Sequence, residues 1–92
     1  MTYNYKMMER VDGKTASQLD DELRQIIDSG NTEIFIDMTN TKYMSSAGMR
    51  AILSAQKTIN KQSGSIVLGG VSDTIREIFD VTGFSSFLTI KN

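Results

Sequence analysis

The sequence predicts a small α/β domain in which three helices cover a sheet of about four strands. Segments with a helical spacing of apolar residues alternate along the chain with short apolar segments typical of strands. The connections between the strands are long enough for parallel crossovers, which favours a layered arrangement. The 92 residues correspond to one domain, and 39% hydrophobic with 23% charged residues is ordinary for a globular protein.

The N-terminal segment is predicted to form a strand followed by a capped helix. Apolar and polar residues alternate from Tyr3 to Val11, which indicates a strand or part of a hairpin, and Asp12-Gly13 marks a turn. Thr15 is then expected to cap the first helix, with Gln18 completing a Thr-x-x-Gln capping box. The helix is expected to end before Gly30. Its apolar stripe consists of Ala16, Leu19, Leu23, Ile26 and Ile27.

A central strand that leads into two adjacent serines is the next predicted feature. The strand is indicated by Ile34, Ile36 and Met38, which alternate with Phe35 and Asp37. The segment from Thr39 to Lys42 breaks this pattern as a turn does. Ser45 or Ser46 is the expected N-cap of the helix that follows, and Gly64 is expected to close that helix as its C′ residue. The apolar residues of the helix are Ala47, Ile52, Leu53, Ala55 and Ile59.

The C-terminal third is predicted to hold two strands around a short helix. Ser65 to Leu68 reads as a buried strand before a pair of glycines. Ser72 is the expected cap of a helix that stops near Gly83, and Phe87 to Ile90 is the last, brief strand. The apolar residues of this helix are Ile75, Ile78 and Phe79.

The serine pair at a helix start limits the chemistry that the site can support. A helix N-terminus offers free N–H donors and a partial positive charge, so it favours an anion such as phosphoserine. A serine nucleophile normally needs a histidine base, and the chain contains no histidine. Lys42 and Lys57 are the only lysines nearby, and neither has the spacing of a Ser-Lys pair. A small serine hydrolase or an acyl carrier-like enzyme using Ser46 is therefore disfavoured, whereas a purely structural N-cap remains open.

Composition excludes several other classes of function. Cysteine and histidine are both absent, so neither thiol chemistry nor an ordinary zinc site is expected, and we predict no metal and no cofactor. The formal net charge of −1 argues against a nucleic-acid partner. Arg50, Lys57 and Lys61 are interpreted as a solvated helix face. The sequence has no apolar run long enough to span a membrane and no signal peptide, so we expect a cytoplasmic protein.

Two motifs resemble the STAS domain of bacterial anti-sigma factor antagonists. They are IDMTNTKYMSSAGMRAIL and SDTIREIFDVTGF, and the resemblance extends from about Asp12 to Phe87. It implies a single STAS-like domain over residues 1–92, built from a mixed sheet with three or four helices packed mainly on one side. The phosphoacceptor of that family lies at a strand-to-helix junction. This chain begins close to its first helix and stops soon after its last strand. The family's extra N-terminal strand and C-terminal helix are therefore expected to be shortened or missing, which implies a minimal version of the domain.

The resemblance assigns roles to individual residues. Ser46 matches the family's phosphoacceptor, and Ser45 is the less favoured acceptor. Three positions depart from the family pattern: Ser45 stands where aspartate is usual, Ala47 where Ser or Thr is common, and Arg50 where small residues are common. Arg50 lies one helical turn after Ser46 and is expected to reach a phosphate or a partner carboxylate. The implied partner-binding residues are Asp37, Tyr43, Met44, Ser45, Ser46, Gly48, Met49 and Arg50.

The function implied by the resemblance is a phosphorylation-controlled binding switch. The unmodified domain would bind an anti-sigma factor that is also a serine kinase and so release a sigma factor. Phosphorylation at Ser46 would end that binding, and a PP2C-type phosphatase would restore it. The domain itself would be a substrate and not an enzyme. The alternative within the same fold is a regulatory or scaffold subunit of another complex, such as a lipid-transport ATPase or a stress-signalling assembly, in which Ser46 is never phosphorylated.

Overall fold

Three helices and six short strands make up the part of the chain that the computed structural model describes, residues 2–91. One turn of 3-10 helix lies between the last helix and the last strand. In chain order the elements are β1 (Tyr3–Lys6), β2 (Arg10–Val11), α1 (Gly13–Asp28), β3 (Glu33–Asp37), β4 (Tyr43–Met44), α2 (Ser46–Asn60), β5 (Ser65–Gly69), α3 (Asp73–Thr82), the 3-10 turn (Phe84–Phe87) and β6 (Thr89–Lys91).

The strands form two separate sheets. The main sheet has the order β1-β3-β5-β6, and β2 pairs with β4 in a small second sheet. The predicted α/β class with three helices and a main sheet of four strands is confirmed. The sheet was predicted to be mixed, and every strand pair within residues 2–91 is parallel. The prediction of one strand or part of a hairpin over residues 3–11 is wrong, because this segment forms neither a continuous strand nor half of a hairpin. It supplies one strand to each sheet and turns between them at residues 7–9.

The main sheet buries one face beneath the helices. The inward side chains of β3 and β5 are Ile34, Ile36, Ile66 and Leu68, all essentially inaccessible to solvent. The predicted stripe of α1 is buried in full, because its spacing places those residues on one side of the helix. On the opposite face of the sheet Phe35 and Val67 are only half-buried, which is the expected alternation of a strand with one covered side.

The cap of α1 differs from the prediction. Asp12 is the N-cap: its Oδ1 accepts hydrogen bonds from the backbone N–H groups of Lys14 and Thr15, both at 3.0 Å. Thr15 is the third helical residue, and its hydroxyl accepts a hydrogen bond from the Asp12 N–H at 2.8 Å. The capping box therefore begins three residues earlier than Thr-x-x-Gln suggests. The carboxylate of Asp12 reaches two donors, which is more than a threonine hydroxyl at position 15 could satisfy.

The end of α2 also differs from the prediction. The helix stops at Asn60, and the residue in the left-handed conformation is Ser63, with φ of 58°, so Gly64 is not its C′ residue. Gly64 is required for a different reason, because a Cβ there would collide with the carbonyl oxygen of Thr32. Its N–H donates to the Ile59 carbonyl at 2.9 Å. Gly64 thus lets the chain pass close to the entry of β3 on its way into β5.

The C-terminal third follows the prediction more closely. Ser72 caps α3 by accepting a hydrogen bond from the Ile75 N–H at 3.2 Å. Gly83 ends the helix with φ of 80°, a left-handed conformation that glycine adopts without strain. The last strand lies slightly later than expected, because Phe87 still belongs to the 3-10 turn and pairing with β5 begins at Thr89.

Candidate functional site

The starts of α1 and α2 lie side by side because the strands before them are paired. Val11 lies opposite Met44 in the parallel β2–β4 ladder, and each strand runs within two residues into its helix. Four further bonds hold the two segments together. The Ser45 N–H donates to the Val11 carbonyl at 2.7 Å, and the Glu9 carbonyl accepts from the N–H groups of Lys42 at 2.8 Å and Tyr43 at 3.3 Å. The Thr41 hydroxyl donates to the Met8 carbonyl at 2.9 Å. The candidate site is the surface above this junction.

Ser45 and Ser46 have different surroundings. Ser45 is the N-cap of α2, half-buried, and its Oγ accepts a hydrogen bond from the Gly48 N–H at 3.2 Å. Ser46 is the first helical residue and is exposed, and its hydroxyl has no hydrogen-bond partner within residues 2–91. The two serines therefore differ in the role that each can have. Ser45 performs the structural role of a cap, and Ser46 presents a free hydroxyl to the solvent.

The α2 start is electrostatically positive. Its first turn contains no acidic residue, and among residues 2–91 the neutral hydroxyl of Ser45 is the only side-chain cap. The partial positive charge of the helix N-terminus is therefore not offset locally, and an anion attached to Ser46 would be stabilised there. No group within the described residues lies within hydrogen-bond distance of the Ser46 hydroxyl to act as its general base.

Gly48 lets α2 approach the β2–β4 ladder closely. A Cβ at this position would lie 2.5 Å from Met44 Sδ and 2.5 Å from Val11 Cγ1, a separation at which neighbouring atoms must move. Val11 is completely buried, and Met44 and Met49 are nearly so. Three of the predicted partner-binding residues, Met44, Gly48 and Met49, therefore lie in the core beneath the surface and determine where Ser46 stands.

Asp37 holds the loop after β3 in place. Its Oδ1 accepts hydrogen bonds from the backbone N–H of Thr39 at 2.9 Å and from the Thr39 hydroxyl. These two bonds lower the pKa of Asp37 below its ordinary value, and Lys6 adds a smaller effect in the same direction. Gly70 packs against the same loop, since a Cβ there would collide with the Thr39 hydroxyl. Asp37 thus supports the turn that leads to β4.

Tyr43 is the exposed aromatic residue of the site. It is 45% exposed, and the Arg10 guanidinium carbon lies 4.3 Å from the centre of its ring, a cation–π geometry. Arg10 also contacts Asp12 through its Nε at 3.3 Å. Sequence analysis missed both Arg10 and Asp12 as parts of this site. A two-residue strand such as β2 has no periodicity, so its pairing with β4 could not be predicted from the sequence.

Arg50 is exposed and lines a groove between α1 and α2. The groove is lined on the α1 side by Gly13, Ala16, Ser17, Asp20 and Asp21 and on the α2 side by Ala47, Arg50 and Ala51. Within residues 2–91 the Arg50 side chain forms no ion pair. The side chain therefore faces solvent one helical turn after Ser46.

No helix in the described part of the chain is long and apolar enough to cross a membrane. In the same residues no group of three or more acidic side chains is close enough together to hold a metal ion.

We call the surface above the two helix starts the Ser46 surface. It is defined by Tyr43, Ser46 and Arg50, with Arg10 and Lys42 beside them.

The protein is a parallel α/β domain whose main sheet is covered by helices on one face, with an exposed serine at the start of its central helix. The chain belongs to the STAS domain family, whose family model matches residues 4–92. It is 33% identical over 82 residues to BtrV of Bordetella bronchiseptica, which is named as a candidate anti-sigma factor antagonist; the match covers 89% of this chain and 71% of BtrV. It is 26% identical to the anti-sigma-B factor antagonist of Staphylococcus aureus, with coverage of 97% and 82%.

Solved structures agree with this family assignment. The anti-sigma factor antagonist SpoIIAA in its unphosphorylated form matches with a TM-score of 0.78 at 18% identity, covering 99% of this chain and 79% of SpoIIAA. The Bacillus protein SpoIIAA in its phosphorylated form matches with a TM-score of 0.76 at 20% identity, covering 99% and 83%. At these identities the likeness establishes the shared fold.

Proposed function

We propose that this protein is an anti-sigma factor antagonist that works in the cytoplasm through its Ser46 surface. Unmodified, it docks on an anti-sigma factor of the serine-kinase type and displaces the sigma factor held there. The observation that carries the proposal is the exposed, unpaired hydroxyl of Ser46 at the start of α2. The names of the relatives support the antagonist role, and the phosphorylated form of SpoIIAA supports control by phosphate.

Phosphorylation of Ser46 would end the docking. A phosphate adds about −1.5 to −2 charges and considerable bulk at the centre of the contact surface, and both oppose binding. The modified domain remains folded, because the phosphate sits at a helix N-terminus that carries no acid of its own. Arg50, one turn later on the same face, is within reach of the phosphate in the helical geometry. A PP2C-type phosphatase then returns the protein to its active form.

The residues of the site divide into two groups in this proposal. Tyr43, Ser46 and Arg50 are exposed and contact the partner directly. Asp37 and Ser45 fix the loop and the helix start through hydrogen bonds. The buried members, Met44, Gly48 and Met49, support the surface from below. ATP and Mg²⁺ belong to the kinase, and this chain performs no catalysis.

Intact-mass spectrometry with site mapping tests the proposal on protein isolated from its own cells. We expect one phosphate that maps to Ser46 and is absent from Ser46→Ala. Ser45→Ala is the matched control, because it removes the neighbouring hydroxyl and should leave the phosphate in place. Phosphate on Ser45, or none in growing and stressed cells alike, would contradict the proposed switch.

One observation favours the scaffold alternative. Ser45 replaces the acidic residue that usually precedes the phosphoacceptor in the family, so a kinase would meet a neutral residue there. A STAS subunit of a transport ATPase or of a stress-signalling assembly would need no phosphate at Ser46. Affinity purification of the tagged chain separates the two functions, because a kinase and an ATPase complex are distinct co-purifying proteins.

A further inference from the structure

The Ser46 surface has an excess of positive charge. The two segments that meet at the helix starts, residues 9–14 and 42–50, contain four cations and two acids, although the whole chain has a formal net charge of −1. The cations are Arg10, Lys14, Lys42 and Arg50, and all four are exposed. The segments lie together because Lys42 bonds to the Glu9 carbonyl and Arg10 stacks on Tyr43. The local charge is thus opposite in sign to that of the molecule.

The acids of the two segments offset only part of this charge. Asp12 accepts hydrogen bonds from two backbone N–H groups of α1 and contacts Arg10, so its carboxylate offsets that cation. Glu9 is the single remaining acid. Lys42 and Arg50 form no ion pair with any described residue. Their charges are therefore directed to the solvent or to a partner.

We propose that the partner protein meets the Ser46 surface with a surface rich in carboxylates, and that phosphorylation ends docking by cancelling the positive charge of this surface. The inference rests on the proposed function and specifies the chemistry of its partner. Complementary charge accelerates association and suppresses wrong partners. A phosphate of nearly two negative charges offsets Lys42 and Arg50 together, so the attraction for an acidic partner surface is lost.

The groove between α1 and α2 sets the orientation of the docked partner. Arg50 lines it on the α2 side, and Asp20 and Asp21 line it on the α1 side. Asp20 is paired with Arg24 at 2.7 Å, and Asp21 has no ion pair within residues 2–91. The groove therefore presents a cation on one helix and a carboxylate without an ion pair on the other. A partner with acids facing the helix starts and a base facing Asp21 fits in one direction only.

A nuclear magnetic resonance titration with poly-L-glutamate tests the charge preference without the natural partner. In ¹⁵N-labelled protein at low salt, we expect the amide shifts of residues 9–14 and 42–50 to change most, and the changes to disappear at high salt. The double variant Lys42→Glu, Arg50→Glu should bind poly-L-glutamate on the order of tenfold more weakly.

The matched control is Lys57→Glu, Lys61→Glu, which produces the same net charge at the other end of α2. We expect its affinity for poly-L-glutamate to stay within about twofold of the unmodified chain. Shifts centred on residues 57–61, or an equal loss of affinity in both double variants, would overturn the inference. Retained dispersion of the amide spectrum shows that each variant is folded. Absence of phosphate on Ser46 in cells would contradict the proposed switch but would leave this titration result unchanged, so the two failures are distinguishable.

Discussion

The two helices that begin at the β2–β4 ladder start side by side but are capped differently. At α1, the Asp12 carboxylate binds two backbone N–H groups and Thr15 returns a bond to the Asp12 N–H. At α2, Ser45 binds the single N–H of Gly48, and no acid lies in the first turn. The α1 start is thus satisfied by its own side chains, whereas the α2 start keeps donors and positive potential for an external group.

Packing beneath the two starts shows the opposite contrast. Nothing lies within 4 Å of a Cβ placed on Gly13 at the α1 start, whereas a Cβ on Gly48 collides with both Met44 and Val11. The α2 start is therefore open at its surface and tightly packed below it. We infer that the start of α1 is stabilised by its cap and the start of α2 by packing in the core. The exposed side chain of Ser46 therefore contributes little to the stability of the fold.

Gly48→Ala is expected to have the largest effect on stability. The added methyl group meets two buried side chains, and overpacking of this kind costs about 2 kcal/mol despite the better helix propensity of alanine. Urea unfolding would measure it. The matched control is Gly13→Ala, which meets open space and should be neutral or stabilising by up to about 1 kcal/mol. Equal effects of the two variants would refute the contrast in packing.

Asp12→Ala is expected to reduce stability more than Ser45→Ala, which should cost about 1 kcal/mol. Hydrogen bonds, chiefly from the Thr15 N–H, lower the pKa of Asp12 below its ordinary value of 3.8. A carboxyl group with a lowered folded-state pKa stabilises the fold above the ordinary value, and its contribution is lost as the pH falls through the folded value.

Urea unfolding over a series of pH values would separate the two caps. The difference in the free energy of unfolding between Asp12→Ala and the unmodified chain should shrink as the pH drops below about 3.8. The corresponding difference for Ser45→Ala should stay the same over this range, because a serine hydroxyl does not ionise there. A deficit for Asp12→Ala that is constant across this pH range would show that its carboxylate is not the effective cap.

The limits of sequence reasoning are clearest at these same helix starts. The α2 start was predicted because an alternating strand, a polar turn and a serine pair are all local signals. The α1 cap was predicted three residues late, because Asp-x-x-Thr and Thr-x-x-Gln overlap in DGKTASQ and Gly13 is a poor helix former. The ladder between β2 and β4 had no signal at all, since each strand contributes two residues and their pairing is long-range.

Ser45→Asp gives α2 a carboxylate cap of the kind that α1 has. A carboxylate at this helix N-terminus is expected to stabilise the protein by about 0.5 kcal/mol. The gain should diminish with added salt, because dissolved ions screen the interaction between the carboxylate and the helix N-terminus. Thermal unfolding at low and high salt would measure both effects. A loss of stability at low salt would indicate that the α2 start is less positive than its geometry implies.

Ser46→Ala is expected to have the smallest effect on stability, within about 0.5 kcal/mol of the unmodified protein, because the hydroxyl makes no bond within residues 2–91. Urea unfolding would measure this, with Ser45→Ala as the control that does lose a cap. A destabilisation equal to that of Ser45→Ala would mean that Ser46 shares the capping role.

The hydrogen bond from the Thr41 hydroxyl to the Met8 carbonyl joins residues that are 33 positions apart in the chain. Closing a loop of this length costs about 3 kcal/mol of chain entropy, and a ladder of two residue pairs recovers little of it. The junction therefore forms only when the flanking sheet and helices have folded around it. A chain still emerging from the ribosome, or one partly unfolded by heat, contains the serine but lacks the surrounding shape, so recognition of the whole junction would require the completed fold.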